Sequence, residues 1–309
     1  MPEGDTIHRT ASVLRTALVG RPTVRFDAPR LQPPFPGLGR VVESVESHGK
    51  HLEIMWDDGI VLHTHLRMTG SWHVYRPGEK WRKPDHQARV AIEVPDWLAV
   101  CFNAPTVETY RSPDRRRHPG FGRLGPDLCQ PDADLAEAVS RMAHYAEPDA
   151  IVADVLLDQR VMAGVGNVYR SEVLWVCGLS PFALVGDLDH RDHIELVRTS
   201  AKLLRANLER PERITAPGVP GGLAVYGRNG QRCPRCAGIV TVTRAGQHRR
   251  LVYWCPECQT RLDARPMPEP VVDDDTPTDR HPAAVLFLAQ VREARARRPV
   301  NGRVMRRHG

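Results

Sequence analysis

Residues 163–169 read Ala163-Gly164-Val165-Gly166-Asn167-Val168-Tyr169, a two-glycine turn between two apolar patterns of helical spacing. Such a turn presents backbone N–H groups at the start of the second helix, where the helix dipole favours negative charge. Gly166 permits close approach of another group to the backbone, and Asn167 can cap the helix while it contacts a phosphate oxygen. An ordinary packing corner between two helices is the alternative, and the turn taken alone favours that corner.

Helical spacing continues on both sides of this turn. We therefore expect a helical domain at residues 118–222, entered through the basic connector at residues 115–120. The four segments that carry the pattern are centred on Leu135, Val139 and Met142, on 151–161, on 168–176, and on Ile194, Val197, Leu204 and Leu208.

The first part of the chain has a different pattern. Apolar residues at helical spacing predict one amphipathic helix over residues 3–18, ended by Gly20 and Pro22. Closely spaced β-prone runs joined by Gly, Asp and Pro turns then predict a β-sandwich, which places an N-terminal domain at residues 1–117. These runs lie at 41–47, 51–56, 60–68, 72–75, 88–94 and 98–103.

Two cysteine pairs, Cys233-Pro234-Arg235-Cys236 and Cys255-Pro256-Glu257-Cys258, are separated by eighteen residues. This is the spacing of a tetrahedral zinc site, and residues 239–254 between the pairs can form a hairpin that closes it. A redox C-x-x-C motif is the alternative, but two such pairs at this spacing favour zinc. Four cysteines leave no position for water or substrate, so we expect one structural Zn²⁺ in a finger at residues 223–262.

Composition narrows the class of protein. The chain has 309 residues, a formal net charge of +6, and four lysines among 43 basic residues. No apolar stretch is long enough to span a bilayer and no secretory signal is recognisable, so we expect a cytoplasmic protein without membrane contacts. Arg249 and Arg250 on the cysteine hairpin indicate a DNA probe, with a solvated basic face as the alternative.

The chain begins Met1-Pro2-Glu3-Gly4-Asp5. Removal of Met1 would expose the secondary amine of Pro2 beside a carboxylate. An α-amino group has a pKa near ~8, so more of it is unprotonated at neutral pH than of a lysine side chain. Its attack on a sugar aldehyde carbon would give an iminium ion directly. A proline in the first turn of a helix, where its missing N–H costs nothing, is the alternative that the N-terminus alone favours.

Two further places in the predicted sandwich carry candidate functional residues. Lys50 follows Gly49 between two predicted strands. A solvated strand-edge lysine is the usual case there, although the scarcity of lysine strengthens the case for a selected role. Arg67 and Met68 combine a cation with an unbranched apolar side chain, a pair that can enter a duplex in place of an extruded base. Met68 as a core filler is the alternative.

Several motifs occur in one order along the chain: Pro2-Glu3-Gly4, His48-Gly49-Lys50-His51-Leu52, His65-Leu66-Arg67-Met68-Thr69-Gly70, Arg123-Leu124-Gly125-Pro126-Asp127, Leu157-Asp158-Gln159 with residues 163–169, and the four cysteines. In these motifs the chain resembles the formamidopyrimidine-DNA glycosylase and endonuclease VIII family over residues 2–261. The resemblance implies an α+β protein: a β-sandwich with an N-terminal helix, a helix-two-turns-helix domain, and a four-cysteine zinc-finger β-hairpin, with DNA held between the domains.

The resemblance also implies roles for individual residues. Pro2 looks like the nucleophile that attacks sugar C1′ and forms a Schiff base, and Glu3 looks like its acid/base partner. Lys50 is similar to the lysine that assists β-elimination. Arg250, counted back from Cys255, resembles the finger arginine of δ-elimination, and Arg249 competes for that assignment. DNA contacts are implied at Arg67, Arg123 and Asn167, beside the Met68 wedge.

These roles together describe a bifunctional DNA glycosylase and apurinic-site lyase of base excision repair. We expect a monomer near the nucleoid that acts on double-stranded or bubble DNA with damaged bases or abasic sites. The start Pro2-Glu3-Gly4 and the run Tyr253-Trp254-Cys255-Pro256 resemble actinobacterial endonuclease VIII, which favours oxidised pyrimidines. Residues 65–70 resemble the purine-specific branch. A damaged-DNA-binding zinc protein without catalysis and an RNA- or ribosome-associated zinc ribbon are the competing classes.

Residues 263–309 lie outside the resemblance, and a proline-rich acidic passage predicts disorder at their start. Seven arginines against one glutamate at 292–309 predict a non-specific basic arm. Each phosphate contact releases counterions, so the full chain should lose DNA affinity more steeply with salt than a chain ending at residue 262. Equal slopes of log Kd against log salt, measured by fluorescence anisotropy, would contradict this expectation.

Overall fold

The computed structural model describes residues 2–117, 123–247 and 249–263. Its N-terminal part is one helix followed by two four-stranded antiparallel sheets, in the strand orders β1-β6-β7-β5 and β2-β3-β4-β8. The elements are α1 (Gly4–Leu18), β1 (Arg25–Asp27), β2 (Val42–His48), β3 (His51–Trp56), β4 (Ile60–His65), β5 (Ser71–Tyr75), β6 (Ala88–Val94), β7 (Trp97–Phe102) and β8 (Thr106–Arg111).

Alternation of apolar and polar residues explains the packing of these two sheets. In β3, Leu52, Ile54 and Trp56 are fully buried, whereas His51 and Met55 on the other face are half-exposed. One hydrophobic core joins the inner faces of both sheets to the apolar face of α1. Because β2 and β3 pair through His48 and His51, the two residues between them form a tight turn at the edge of the sandwich.

The second half is helical and carries a two-stranded hairpin. Its most buried element is α4, in which Asn167 to Leu174 are all buried. The elements are α2 (Leu135–Ala143), α3 (Val152–Val155), α4 (Asn167–Cys177), α5 (His190–Arg205), β9 (Thr241–Ala245) and β10 (Arg250–Trp254). A second hydrophobic core includes α2 to α5 and reaches the hairpin through Val252 and Trp254.

The predicted architecture of sandwich, helical domain and cysteine hairpin is confirmed, but some element boundaries are wrong. The helix predicted at 151–161 ends at Val155 because the side chain of Asp158 accepts a hydrogen bond from the backbone N–H of Arg160, at 2.9 Å, and forms a turn. The strand predicted to reach Met68 ends at His65, since Arg67 has a φ of 47° in a turn closed by Gly70. Strands β1 and β8 were not predicted.

Within the described residues, no helix combines the length and apolar character needed to cross a bilayer. The tail at 263–309, with its predicted disordered passage and basic arm, lies outside the described residues except for Asp263.

The alternative that Pro2 is a proline in the first turn of a helix is wrong. Helix α1 begins at Gly4 with Glu3 as its N-cap residue, so Pro2 precedes the cap.

Candidate active site

The carboxylate of Glu3 lies against the N-terminus of α4. It accepts hydrogen bonds from the backbone N–H groups of Gly166 at 2.9 Å, Val168 at 2.8 Å and Tyr169 at 3.2 Å. Glu3 is fully buried. The donors that the sequence offered to a phosphate are therefore bound by a carboxylate of the same chain, which satisfies helix N–H groups that would otherwise lack partners.

Glycines make this contact between the two halves of the molecule possible. A Cβ atom on Gly166 would stand 2.3 Å from Cδ of Glu3, although the φ of Gly166, −126°, suits any residue. The backbone N–H of Gly4 donates to the carbonyl of Gly164 at 2.9 Å, and a Cβ on Gly4 would stand 2.7 Å from Sγ of Cys129. The predicted close approach at Gly166 is thus present, and the approaching group is Glu3.

Lys50 lies in the turn between β2 and β3, where it is partly buried and faces several charges. Burial lowers its pKa to about 8 from an ordinary 10.5. Glu3 opposes that shift, whereas the positive charges of Arg250, Arg170 and Arg213 strengthen it. The charges of Glu3 and Arg250, which are far from Lys50 in the sequence, therefore both act on Lys50. Pro2 is half-buried and directly precedes Glu3.

The finger arginines differ in their relation to Lys50. Arg250 is exposed at the start of β10, and its charge acts on both Lys50 and Arg170. Arg249 is also exposed but lies in the turn before β10, with a φ of 47°. Its backbone carbonyl accepts a hydrogen bond from Arg244 at 3.5 Å. These positions favour Arg250 as the cation associated with the Lys50 region.

Side chains of α4 hold the hairpin next to Arg250. Asn167 Nδ2 and Arg170 Nη2 both donate to the carbonyl of Leu251, at 2.9 and 2.8 Å, and Arg170 also donates to Asn167 Oδ1. The expectation that Asn167 caps α4 is wrong, because Gly166 is the N-cap residue and the Asn167 side chain is directed to the hairpin. Burial of Arg170 lowers its pKa to about 10, and no part of the sequence pattern marked this residue.

A buried ion pair beneath Glu3 was also missed. Asp5 is fully buried, and its carboxylate accepts hydrogen bonds from Arg213 Nε at 3.0 Å and from Arg213 Nη2 at 2.6 Å. Burial opposes ionisation of Asp5, but Arg213 and Arg9 hold its pKa below the usual range. The guanidinium of Arg213 also lies 4.8 Å from the ring centroid of Tyr169. The adjacency of Asp5 to Glu3 was the available signal, yet nothing in the sequence identified Arg213 as its partner.

Arg67 and Met68 occupy an exposed turn after β4, with Met68 65% exposed. Thr69 Oγ1 donates to the carbonyl of Asn103 at 3.0 Å and fixes this turn. The exposure of Met68 contradicts its reading as core filler. Arg123 is exposed at the start of the second described segment.

The four cysteines converge as their spacing predicts, with all four Sγ atoms within 4.8 Å of one another. Cys233 Sγ lies 3.7 Å from Cys258 Sγ, and Cys236 Sγ lies 3.4 Å from Cys255 Sγ. A tetrahedron with Zn–S bonds of about 2.3 Å has sulfur separations of about 3.8 Å, so the cluster fits one zinc ion. The indole N–H of Trp175 on α4 donates to Cys233 Sγ at 3.3 Å.

The fold and the site define the class of this protein. A family model described as the formamidopyrimidine-DNA glycosylase N-terminal domain matches residues 1–109. A second, the formamidopyrimidine-DNA glycosylase H2TH domain, matches residues 124–216. The chain belongs to the formamidopyrimidine-DNA glycosylase and endonuclease VIII family of DNA repair enzymes, which confirms the resemblance found in the sequence.

Individual relatives lie on the endonuclease VIII side of the family. The chain is 41% identical over 276 residues to the probable endonuclease 8 2 of Streptomyces coelicolor, covering 87% of this chain and 96% of the relative. It is 40% identical over 265 residues to the DNA-(apurinic or apyrimidinic site) lyase Nei2 of Mycolicibacterium smegmatis, covering 84% and 99%. The Lactococcus lactis formamidopyrimidine-DNA glycosylase, solved with abasic-site DNA, shares the fold with a TM-score of 0.70 at 19% identity, covering 84% of this chain and 100% of that one.

The contact between Glu3 and Gly166 gives a first test of this geometry. In Gly166→Ala the new methyl group must displace Glu3, so we expect about 3 kcal/mol lower stability and roughly 100-fold slower single-turnover cleavage of abasic-site DNA. The matched control is Gly37→Ala, whose added Cβ meets the flexible Arg40 side chain at 3.2 Å and Asp58 Oδ2 at 3.7 Å. Wild-type cleavage by Gly166→Ala would contradict the assigned geometry.

The lowered pKa of Lys50 gives a second test. Because its pKa falls from 10.5 to about 8 on folding, the charged amine destabilises the fold below pH 8, and stability rises as the pH passes from 8 to 10.5. Lys50→Met should therefore raise the Tm by about 2–4 °C at pH 7, with a smaller gain at pH 10, as measured by differential scanning calorimetry. The exposed Lys202→Met is the control. An equal gain at both pH values would show that the charge is not the cause.

Proposed function

We propose that the chain is a bifunctional DNA glycosylase and apurinic-site lyase that uses Pro2 as its nucleophile. The observation that carries the proposal is that residues 163–170 contact Glu3, the turn of Lys50 and the residue after Arg250, in a family of DNA repair enzymes. A protein that only binds damaged DNA requires no such grouping of an amine, a carboxylate and a lysine of lowered pKa. The non-catalytic alternative leaves this arrangement unexplained.

In the proposed first step the unprotonated Pro2 nitrogen forms a bond to C1′, and the damaged base departs with the glycosidic electron pair and takes a proton from water. Glu3 then accepts the proton of the new ammonium group. The nitrogen lone pair forms the iminium bond as the C1′–O4′ bond breaks, and Glu3 passes the accepted proton to O4′. Three backbone donors hold the Glu3 carboxylate in one place, at the residue that follows Pro2, and so fix the position of the proposed proton acceptor.

Lys50 and Arg250 serve the elimination steps in this proposal. Loss of a C2′ proton to a base supplies the electron pair that breaks the C3′–O bond, and loss of the C4′ proton then supplies the pair that breaks the C5′–O bond. A phosphate departs at each elimination. Cations beside the departing oxygen atoms stabilise the charge that develops there. Lys50, with a pKa of about 8, exchanges a proton near neutral pH and is suited to the first elimination. Arg250 is permanently charged and suited to the second.

We assign the DNA contacts to Arg67, Met68, Arg123 and Asn167. Arg67 and Met68 stand exposed on a fixed turn, as insertion into a duplex requires. Arg123 is exposed and free to approach the backbone of DNA. The contact of Asn167 with Leu251 leaves its assignment dependent on a rearrangement or on a shared hydrogen bond.

We also propose that Cys233, Cys236, Cys255 and Cys258 hold one structural Zn²⁺. The sulfur separations and the supporting indole N–H of Trp175 support this assignment. When bound, the metal fixes the knuckles of the hairpin and provides no open position for substrate.

We propose a catalytic domain at 1–117, a helical domain at 118–222 and a finger at 223–262. The protein is proposed to act as a monomer on nucleoid DNA in the cytoplasm.

Among substrates we propose a preference for oxidised pyrimidines. The relatives named endonuclease 8 2 and Nei2 share about 40% of their residues with this chain and support that assignment. Preference for oxidised purines is the alternative, favoured by Arg67 and Met68 in residues 65–70.

Borohydride trapping tests the function. The Met1-processed, zinc-loaded protein should form a covalent adduct with abasic-site DNA and with dihydrouracil DNA, because borohydride reduces an iminium ion to a stable amine. Pro2→Ala should lose the adduct but retain DNA binding. Excision of thymine glycol, oxidised cytosine and oxidised guanine, compared under single-turnover conditions, then measures base preference. Absence of an adduct from the intact protein would favour the binding-only class.

A further inference from the structure

We propose that Asp127 is a positioning residue for Lys50. The inference rests on the proposed role of Lys50 and goes beyond it, because it assigns a task to the last residue of the segment 123–127. Its basis is the contact between Asp127 and the tight turn that carries Lys50. Through this contact, the helical half of the molecule determines where a lysine of the sandwich stands.

Asp127 and Gln130 form hydrogen bonds to the turn that carries Lys50. Asp127 Oδ2 accepts a hydrogen bond from the backbone N–H of Gly49 at 2.9 Å. Gln130 Nε2 supports the same turn by donating to the carbonyl of Ser47 at 3.4 Å and to Asp127 Oδ2 at 3.3 Å. Gly49 is buried, so this N–H loses access to water and depends on its acceptor.

The same turn packs closely against the helical half of the molecule. Gly49 has a φ of 58°, and a Cβ at this position would stand 2.7 Å from Cβ of Ala163. The turn therefore rests on the segment that leads into α4. A displacement of Gly49 would carry Lys50 away from that segment, since the two residues are adjacent in the turn.

Backbone hydrogen bonds fix the position of Asp127. Its Oδ1 accepts the backbone N–H of Cys129 at 3.0 Å. On either side of Asp127, the carbonyl of Pro126 accepts the N–H of Ala163 at 2.9 Å, and the N–H of Leu128 donates to the carbonyl of Ala163 at 3.2 Å. Asp127 is thus anchored to the same two-glycine turn that binds Glu3. One short segment thereby sets the separation between Lys50 and Glu3.

The charges around the two residues allow the mechanism to be tested by pH. Lys50 faces Glu3 from the chain start, Arg250 from β10, Arg170 from α4 and Arg213, and it acts in turn on His65 of β4. Asp127 acts electrostatically on His8 of α1 and on Cys129. Loss of the Asp127 charge alone would lower the pKa of Lys50 or leave it unchanged. Release of the turn into water would raise that pKa towards its ordinary value.

The experiment uses Asp127→Asn in the full chain. This variant preserves size and leaves an amide oxygen for Cys129, but it presents an N–H₂ group to Gly49. On abasic-site DNA we expect kcat of strand cleavage to fall about tenfold, KM to change less than about twofold, and the pKa near 8 in the pH–rate profile to rise. Gly49→Ala, which moves the same turn away from Ala163, should reproduce all three effects.

Asp158→Asn is the matched control, because it weakens the contact of an aspartate with Arg160 on the same domain. A double-mutant cycle with Lys50→Met completes the design. If Asp127 acts through Lys50, Asp127→Asn slows cleavage no further in the Lys50→Met background. Independent, multiplicative losses or an unshifted pH profile would overturn the proposal. Full lyase activity in Lys50→Met would instead refute the role of Lys50 in the proposed function.

Discussion

The carboxylate of Glu3 bound to the N-terminus of α4 is the interaction on which the rest of the structure depends. Glu3 is the N-cap residue of α1, yet its side chain satisfies three N–H groups around the start of another helix. Hydrogen bonds to a charged group contribute about 1.5–3 kcal/mol each, and an unpaired buried carboxylate would be strongly destabilising. The sandwich and the helical half are therefore held together at the residue adjacent to the proposed nucleophile.

Helix α4 extends that arrangement along its length. Its Glu172 accepts hydrogen bonds from the backbone N–H groups of Ala224, Val225 and Tyr226 at 2.8, 2.9 and 2.8 Å, which fixes the entry into the finger. One turn of helix later, Trp175 donates to the cysteine cluster. A single eleven-residue helix thus contacts the Glu3 carboxylate, the entry into the finger and the cysteine cluster. Such a shared support explains why α4 is almost completely buried although it carries several polar residues.

The sequence predicted the elements whose signals are local. Alternating apolar residues defined the sandwich, and the cysteine spacing defined the hairpin because both ligand pairs lie on short turns. Contacts between remote segments were not predictable in this way. Asn167 is a residue type that often caps helices, but the N–H groups at the start of α4 are bound by the carboxylate of Glu3, which is remote in the sequence. Arg170 lies in an apolar helical pattern that gives no sign of its polar contact with Leu251.

The surroundings of Lys50 show how binding and protonation are linked at this site. Burial disfavours its charged form most, the positive charges of Arg250, Arg170 and Arg213 repel it, and Glu3 opposes these effects. A phosphate of DNA placed among these cations reverses that balance, because an opposite charge stabilises protonated Lys50. Linkage requires the converse, that protonated Lys50 strengthens the hold on the phosphate. Desolvation of Lys50 and repulsion among these cations therefore both favour the uptake of a phosphate at this site.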